Sequence, residues 1–213
     1  MLDVCEIFRS LQGESTYAGL PCSFVRLSGC NLRCTYCDTR YASDDPGVPM
    51  TIAAIISRVR ELGTDLVEVT GGEPLLQAET PELLEMLASI AGNVLVETNG
   101  SQPLPPRRRW HAIMDVKCPG SGMHERMYWT NLERLQPRDE IKFVVSDRAD
   151  FEYALFHIRK HTLDRHGVPL LVSPVAGAVE PAELAAWVLE SGLPLRLQLQ
   201  LHKLIWPKVQ RGV

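Results

Sequence analysis

Three of the six cysteines in this sequence, Cys30, Cys34 and Cys37, fall within eight residues, spaced C-x3-C-x2-C. That spacing constrains the chain more than any other feature. The question it poses is what the cluster of three holds. The N-terminus, MLDVCEIFRS, has no secretory pattern, so a reducing compartment is expected and a disulfide framework is not. Cys5, Cys22 and Cys118 are scattered and read as small buried hydrophobes. A structural zinc site takes four ligands, usually as two paired knuckles, and no second Cys pair or Cys/His partner at zinc spacing is present. Three thiolates suit a cubane iron–sulfur cluster whose fourth iron stays open. Zinc with a remote fourth ligand is the alternative.

The rest of the composition is ordinary. The 213 residues are 45% hydrophobic and 23% charged, enough for one domain with a sizeable core, taken here as 1–213. Lys and Arg number 22 against 26 Asp and Glu, a net charge of −4, so no strong positive field draws the chain to nucleic acid. No apolar run approaches the roughly 20 residues a membrane span requires, and a cytoplasmic protein is expected. The Pro- and Arg-rich stretch 101–109 (SQPLPPRRR) reads as a solvated surface loop, with a phosphate-contacting patch as the lesser possibility.

Short β-branched runs alternate with helix-period segments. The predicted strands are Ser23–Ser28, Leu66–Thr70, Val94–Thr98, Ala112–Val116, Glu140–Val145, Pro169–Ser173 and Leu195–Leu201. Helices are predicted over Thr51–Leu62, from Thr80 with Pro81 in its first turn through the stripe Leu83, Leu84, Leu87 and Ile90, and near Ala149–Leu163 and Pro181–Glu190. This order argues an α/β fold with mostly parallel strands and right-handed crossovers. A complete eight-unit barrel takes about 250 residues, so an incomplete (β/α) barrel is expected.

The strands share a second regularity. Successive side chains point to opposite faces, and one face of nearly every strand is polar. Arg26 and Ser28, Glu68 and Thr70, Glu97 with Asn99, Asp115 and Lys117, Lys142 and Ser146, and Arg196 through Gln198 and Gln200 to His202 form that set. An ordinary barrel fills its interior with Val, Ile and Leu, whereas this pattern implies a polar cavity on the concave side.

Tyr36 before Cys37 completes a signature that resembles the radical S-adenosylmethionine (SAM) superfamily, and Gly71-Gly72-Glu73-Pro74 resembles that superfamily's GGEP motif. More narrowly, the chain resembles the 7-carboxy-7-deazaguanine synthase family of queuosine biosynthesis. The likeness rests on Leu11-Gln12-Gly13-Glu14, Cys37-Asp38-Thr39, Glu97-Thr98-Asn99-Gly100, Asp115-Val116-Lys117-Cys118-Pro119-Gly120-Ser121-Gly122 and Gln200-Leu201-His202-Lys203. It implies the partial barrel of the radical SAM type. It also implies a lyase that turns 6-carboxy-5,6,7,8-tetrahydropterin into 7-carboxy-7-deazaguanine and ammonia, the radical being generated by the cofactor and not by a protein group.

The implied cofactors are a [4Fe-4S] cluster on Cys30, Cys34 and Cys37, SAM, and Mg2+ on Thr39. SAM contacts would come from Tyr36, Cys37, Asp38, Gly72, Lys117, Ser121 and Ser173. Substrate contacts would come from Leu11, Gln12, Gly13, Glu14, Arg26, Thr70 and His202. Arg26 offers a planar fork suited to a carboxylate, and Glu14 an acceptor suited to the guanidine-like edge of a pterin. The resemblance further implies a homodimer and an electron donor such as flavodoxin or ferredoxin. A glycyl-radical activating enzyme acting on a macromolecule, and a non-catalytic iron–sulfur carrier or zinc module, are the competing classes.

Overall fold

The computed structural model describes residues 1–106 and 108–213. In chain order its elements are β1 (Leu2–Leu11), β2 (Pro21–Leu27), α1 (Arg40–Asp44), β3 (Val48–Met50), α2 (Ile52–Leu62), β4 (Leu66–Gly71), α3 (Thr80–Leu87), β5 (Asn93–Thr98) and β6 (His111–Asp115). They continue with β7 (Glu140–Val145), α4 (Arg148–Lys160), β8 (Leu170–Pro174), α5 (Pro181–Ser191), β9 (Leu195–Leu197) and α6 (Leu201–Ile205). All strands join one sheet in the order β3-β1-β2-β4-β5-β6-β7-β8-β9. From β2 onward every neighbouring pair is parallel, while β1 runs antiparallel to β2 and β3 antiparallel to β1. The sheet does not close, as an abbreviated α/β barrel requires.

Local chemistry sets the helix ends. The Thr51 hydroxyl accepts a hydrogen bond from the Ala54 amide at 3.2 Å and caps α2, and Gly63 takes the left-handed conformation that ends it. Ile55, Ile56 and Val59 then face the core. Pro81 opens α3, and Leu83, Leu84 and Leu87 are fully buried. The helix stops at Leu87, so Ile90, expected to extend the stripe, lies past its end and is exposed.

The convex face is the main core. Val25, Leu27, Val67, Val69, Val94 and Val96, with Met114, Ile141, Phe143 and Val145, are 0–2% exposed and pack on the helices. Each such side chain contributes roughly 1.5–3 kcal/mol on burial. The concave face changes character along the strands. Near their starts, Cys22, Phe24, Leu66, Leu95 and Ile113 pack with Phe8 and Tyr17 into a second apolar cluster. Two residues further on, the same face carries Arg26, Glu68, Glu97 and Asp115. The apolar cluster floors the space that the polar residues line.

Three further expectations differ from the structure. The N-terminal strand β1 and the short β3 were not anticipated, so the cysteine loop follows the chain's second strand. Strand 195–201 is cut to Leu195–Leu197. β9 is a sheet edge with no neighbour beyond it to hold further backbone, and Gln198 makes the last bond to β8 (N to Val172 O, 2.9 Å). The Leu201 amide then turns to the Gly13 carbonyl at 3.0 Å, and the chain coils into α6. The loop 101–109 is irregular, but it is not simply solvated. Arg107 lies outside the described residues, whereas the Arg108 side chain is fully buried against Asp139 and Arg109 pairs with Glu85 on the surface.

Candidate active site

A cavity of about 1000 Å³ opens at the C-terminal ends of the parallel strands. Cys30, Cys34 and Cys37 line one wall, each partly exposed. Their loop is clamped from several sides. Thr35 bonds the Ser121 carbonyl through its amide (3.1 Å) and the Gly120 carbonyl through its hydroxyl (2.6 Å). The Tyr36 hydroxyl reaches the Val144 carbonyl at 3.2 Å, and the Arg33 guanidinium donates to the Cys30 and Leu32 carbonyls. The Cys30 sulfur in turn accepts from the Leu32 amide at 3.4 Å and faces the Asn99 amide nitrogen at 3.8 Å. Among the described residues, no three His, Cys, Asp or Glu side chains converge as one metal ion would require. Three separated thiols on one wall fit the separate irons of a cluster better than a single zinc.

The two glycines of the GGEP turn are dictated by close approach. A Cβ on Gly71 would sit 2.1 Å from the Leu27 carbonyl oxygen, and one on Gly72 would sit 2.2 Å from the Gly29 oxygen and 2.8 Å from Cys30 Cβ. The turn therefore lies directly on the backbone that carries the cysteines, pinned by Glu73 N to Gly29 O at 2.9 Å. Burial pushes the fully buried Glu73 carboxyl up to about 7, against hydrogen bonds from the Asn99 and Leu75 amides and the Thr98 hydroxyl. Glu73 thus couples the end of β4 to the end of β5.

The strands beneath the cavity and the Gln12–Glu14 turn carry a network of buried charge. Lys142 on β7 is 3% exposed and pairs with Glu14 at 2.8 Å and with Glu97 on β5. Gln200 donates to the other Glu14 oxygen at 2.8 Å. Burial alone would raise the Glu14 carboxyl, but Lys142, with Gln200, more than offsets it and holds the group below its ordinary value. Gln12 donates to Glu68, whose carboxyl is pushed up to about 8 by burial and by Glu97. Lys117 pairs with Asp115 at 2.7 Å and stays charged despite burial. Arg26 forms a 2.8 Å ion pair with Glu6, which also accepts from the Tyr41 hydroxyl at 2.8 Å. The Arg26 partner is thus neither Glu68 nor Glu97, the carboxylates its own face offered.

The roof is C-terminal. Lys203 of α6 pairs with Asp38 at 2.7 Å, and His202 lies 4.0 Å from the same oxygen. Against the upward push of burial, these two hold the Asp38 carboxyl well below the usual carboxylate range. A Cβ on Gly13 would meet the His202 ring at 2.8 Å, so the N-terminal Gln-Gly-Glu turn and α6 pack without a gap. Beyond α6, Trp206, Val209 and the terminal Val213 also line the cavity, and the Gly212 amide bonds Glu6 at 3.2 Å.

Comparison with known proteins accords with this geometry. The family model described as the radical SAM superfamily matches residues 24–117. The 7-carboxy-7-deazaguanine synthase of Koribacter versatilis is 44% identical over the full length of both chains. That of Chlorobaculum tepidum is 47% identical over all of this chain and 97% of its own. The chain belongs to the 7-carboxy-7-deazaguanine synthase family. The crystal structure of QueE from Escherichia coli shares the fold, with a TM-score of 0.70, 22% identity and 93% of each chain covered. SuiB of Streptococcus suis bound to S-adenosylmethionine matches more loosely, with a TM-score of 0.52, 12% identity, and 80% and 48% covered. As a radical SAM protein, the chain uses a [4Fe-4S] cluster and SAM. Among its described residues, no helix is long and apolar enough to cross a membrane.

Within this radical SAM synthase fold, the residues singled out from sequence distribute unevenly. Leu11, Gln12, Gly13, Glu14, Arg26, Thr70 and His202 all line the one cavity, although they come from both ends and the middle of the chain. Tyr36, Asp38, Thr39, Gly72 and Lys117 line it too. Ser121 and Ser173 do not. Both are fully buried, Ser121 with its hydroxyl on the Cys118 carbonyl at 2.6 Å, and Ser173 with no partner for its hydroxyl among the described residues. Of the polar concave set, Ser146 turns away to Asp150, and Gln198 turns to the Ser15 carbonyl. Sequence reasoning gave no role to Glu68, Glu97, Asn99, Lys142 or Lys203, all of them on the cavity wall. The alternation of polarity along the strands marks the first four, but it does not say which charges pair.

Proposed function

We propose that this protein is a lyase that contracts 6-carboxy-5,6,7,8-tetrahydropterin to 7-carboxy-7-deazaguanine with loss of ammonia. The observation that carries the reading is the meeting of two distant segments in one cavity. The Leu11–Glu14 turn, braced by Glu68, Lys142 and Gln200, lines the same cavity as the three cysteines, a space of a size for SAM and a small pterin together.

The three thiols suit three irons, and the Gly71–Gly72 turn leaves backbone exposed beside them for the amino acid end of SAM. When bound, the cluster and SAM supply one-electron chemistry that takes and later returns a substrate hydrogen. The chain's own residues do the rest. Glu14, held ionised by Lys142, accepts N–H groups from the guanidine-like edge of the pterin, and Gln12 fixes that turn by accepting the Glu14 amide at 3.0 Å. Arg26, on the cavity wall beside Glu6, is the group for the substrate carboxylate, and Thr70 and His202, which line the same space, are further contacts for the ring. Thr39 is the ligand available to Mg2+, which keeps most of its shell as water and substrate oxygen. Its hydroxyl lies 3.9 Å from the Cys37 sulfur, next to the cluster wall. The floor of Phe24, Leu66, Leu95 and Ile113 and the roof of α6 keep water from the reacting centre. A homodimer reduced by a flavodoxin- or ferredoxin-type donor in the cytoplasm completes the proposal.

The test is anaerobic reconstitution with iron and sulfide, reduction, and incubation with SAM, Mg2+ and 6-carboxytetrahydropterin. Formation of 7-carboxy-7-deazaguanine, slowed when Mg2+ is withheld, is expected. Its absence from protein holding about four irons per chain would sink the assignment.

A further inference from the structure

We propose that Lys142 is the positioning residue of pterin recognition: it sets the orientation and ionisation of Glu14, and through Glu14 the affinity for a 2-amino-4-oxopyrimidine edge. The inference rests on the function proposed above and extends it to a residue that does not itself need to touch the substrate.

The argument starts from acceptor arithmetic. An ionised carboxylate has about four lone-pair sites. Two at Glu14 are filled by the protein, one on each oxygen, by Lys142 at 2.8 Å and Gln200 at 2.8 Å. The remaining sites are left for a ligand in the cavity that Glu14 lines. A pair of parallel N–H donors, the ring N3–H and the 2-amino group of a 2-amino-4-oxopyrimidine, matches those open sites. The fixed partners decide which way the open sites point, because Lys142 sits on the rigid strand β7 and is 3% exposed.

Lys142 also resolves an electrostatic conflict. Its ammonium bridges Glu14 and Glu97, two carboxylates on the cavity wall whose mutual repulsion would otherwise favour protonation of one of them. The titratable neighbours on every side are Glu68 on β4, Glu97 on β5, Asp115 and Lys117 around the end of β6, Glu140 on β7 itself, and His202 on α6. Acids outnumber bases here, and Lys142 is the base that contacts Glu14. Without it the cation favouring an ionised Glu14 is lost, and Glu14 takes up a proton at higher pH.

The test compares wild type with Lys142→Met, Lys142→Arg and the Glu14→Gln/Lys142→Met pair. Two readouts are used: KM and kcat for 6-carboxytetrahydropterin across pH, and equilibrium binding of the fluorescent oxidised analogue 6-carboxypterin, which needs no turnover. Lys142→Met is expected to raise KM and the analogue's Kd at least about tenfold with a smaller change in kcat, and to move the acid limb of kcat/KM to higher pH. Lys142→Arg, which keeps the charge but not the point-like geometry, is expected to weaken binding while leaving the acid limb in place. The double variant is expected to cost no more than the Glu14→Gln change alone, since the two residues act as one.

An iron-loaded, folded Lys142→Met protein with unchanged analogue binding and acid limb overturns the proposal. So does a double variant whose losses multiply. If Lys142→Met does not fold, Lys142→Arg decides, because an acid limb displaced in a variant that retains the charge is incompatible with the role. A wild type that neither binds the analogue nor forms product refutes the function itself and is told apart from these outcomes at once.

Discussion

Replacing Glu68 with Gln is expected to remove a pH dependence from the folding of the cofactor-free protein. Glu68 is 2% exposed on β4, and Gln12 donates to its carboxylate. Burial, and then Glu97, pushes the carboxyl from 4.5 to about 8. A carboxyl raised in the fold stabilises the fold fully below its unfolded value, and that stability is lost as pH rises toward the folded one. The difference, 8 − 4.5 = 3.5 pH units, corresponds to about 5 kcal/mol in all, or about 1.4 kcal/mol per pH unit across the window. That is a large share of the ~5–15 kcal/mol that holds a domain folded. Gln keeps the shape and an acceptor for Gln12, and it never ionises. Urea unfolding of both apo proteins under anaerobic conditions, at intervals from pH 5.5 to 7.5, measures the two slopes. Glu73, raised to about 7 by its own burial, contributes equally to both proteins and cancels in the difference. Wild type should lose stability with rising pH faster than Glu68→Gln by about 1.4 kcal/mol per unit, so that the variant is the more stable protein at pH 8.5. Parallel curves would refute the reasoning, because they would mean that Glu68 is ionised in the fold at neutral pH.

Gly72→Ala should shift the cysteine loop, since its Cβ would lie 2.2 Å from a backbone oxygen. Overpacking of about 1–3 kcal/mol and a substoichiometric iron content after reconstitution are expected, and normal iron loading would contradict the close-approach argument. Arg108→Met removes one partner of a buried ion pair and leaves Asp139, among the described residues, holding the Ala112 and Gln136 amides. A loss of about 3–5 kcal/mol, read by urea unfolding, should follow. Cys34→Ala should abolish turnover and the brown colour of the reconstituted protein together, and a normal rate would exclude Cys34 as a cluster ligand.

Much of this site was legible in the sequence because two independent periodicities overlap there. The spacing of Cys30, Cys34 and Cys37 marks one wall, and the two-residue alternation of Arg26, Glu68, Glu97, Asp115 and Lys142 marks the others, since the chemistry of a strand's two faces is written directly in its residues. What was not legible depends on distant segments. Arg26 pairs with Glu6 because β1 lies antiparallel to β2, with Glu6 opposite Arg26 in the register, and β1 itself was not anticipated. Asp38 pairs with Lys203 because the leucine alternation past Leu197 ends in α6 and not in a strand; half-exposed edge strands and short helices over a cavity write similar patterns. Ser173 has the right parity and stands beside Val144, which lines the cavity, yet Ser173 is itself fully buried and off the lining, so parity selects a face and not a depth. Depth is set by the position along the strand at which the concave face turns from apolar to charged. In β2 that switch is the step from Phe24 to Arg26, in β4 from Leu66 to Glu68, in β5 from Leu95 to Glu97 and in β6 from Ile113 to Asp115. Because the parallel register sets Phe24 beside Glu68, and Glu68 beside Leu95, the switch is staggered from strand to strand. The floor therefore dips at β4 between its two neighbours, and Glu68, the acid set in that dip, is the one whose protonation the fold must control.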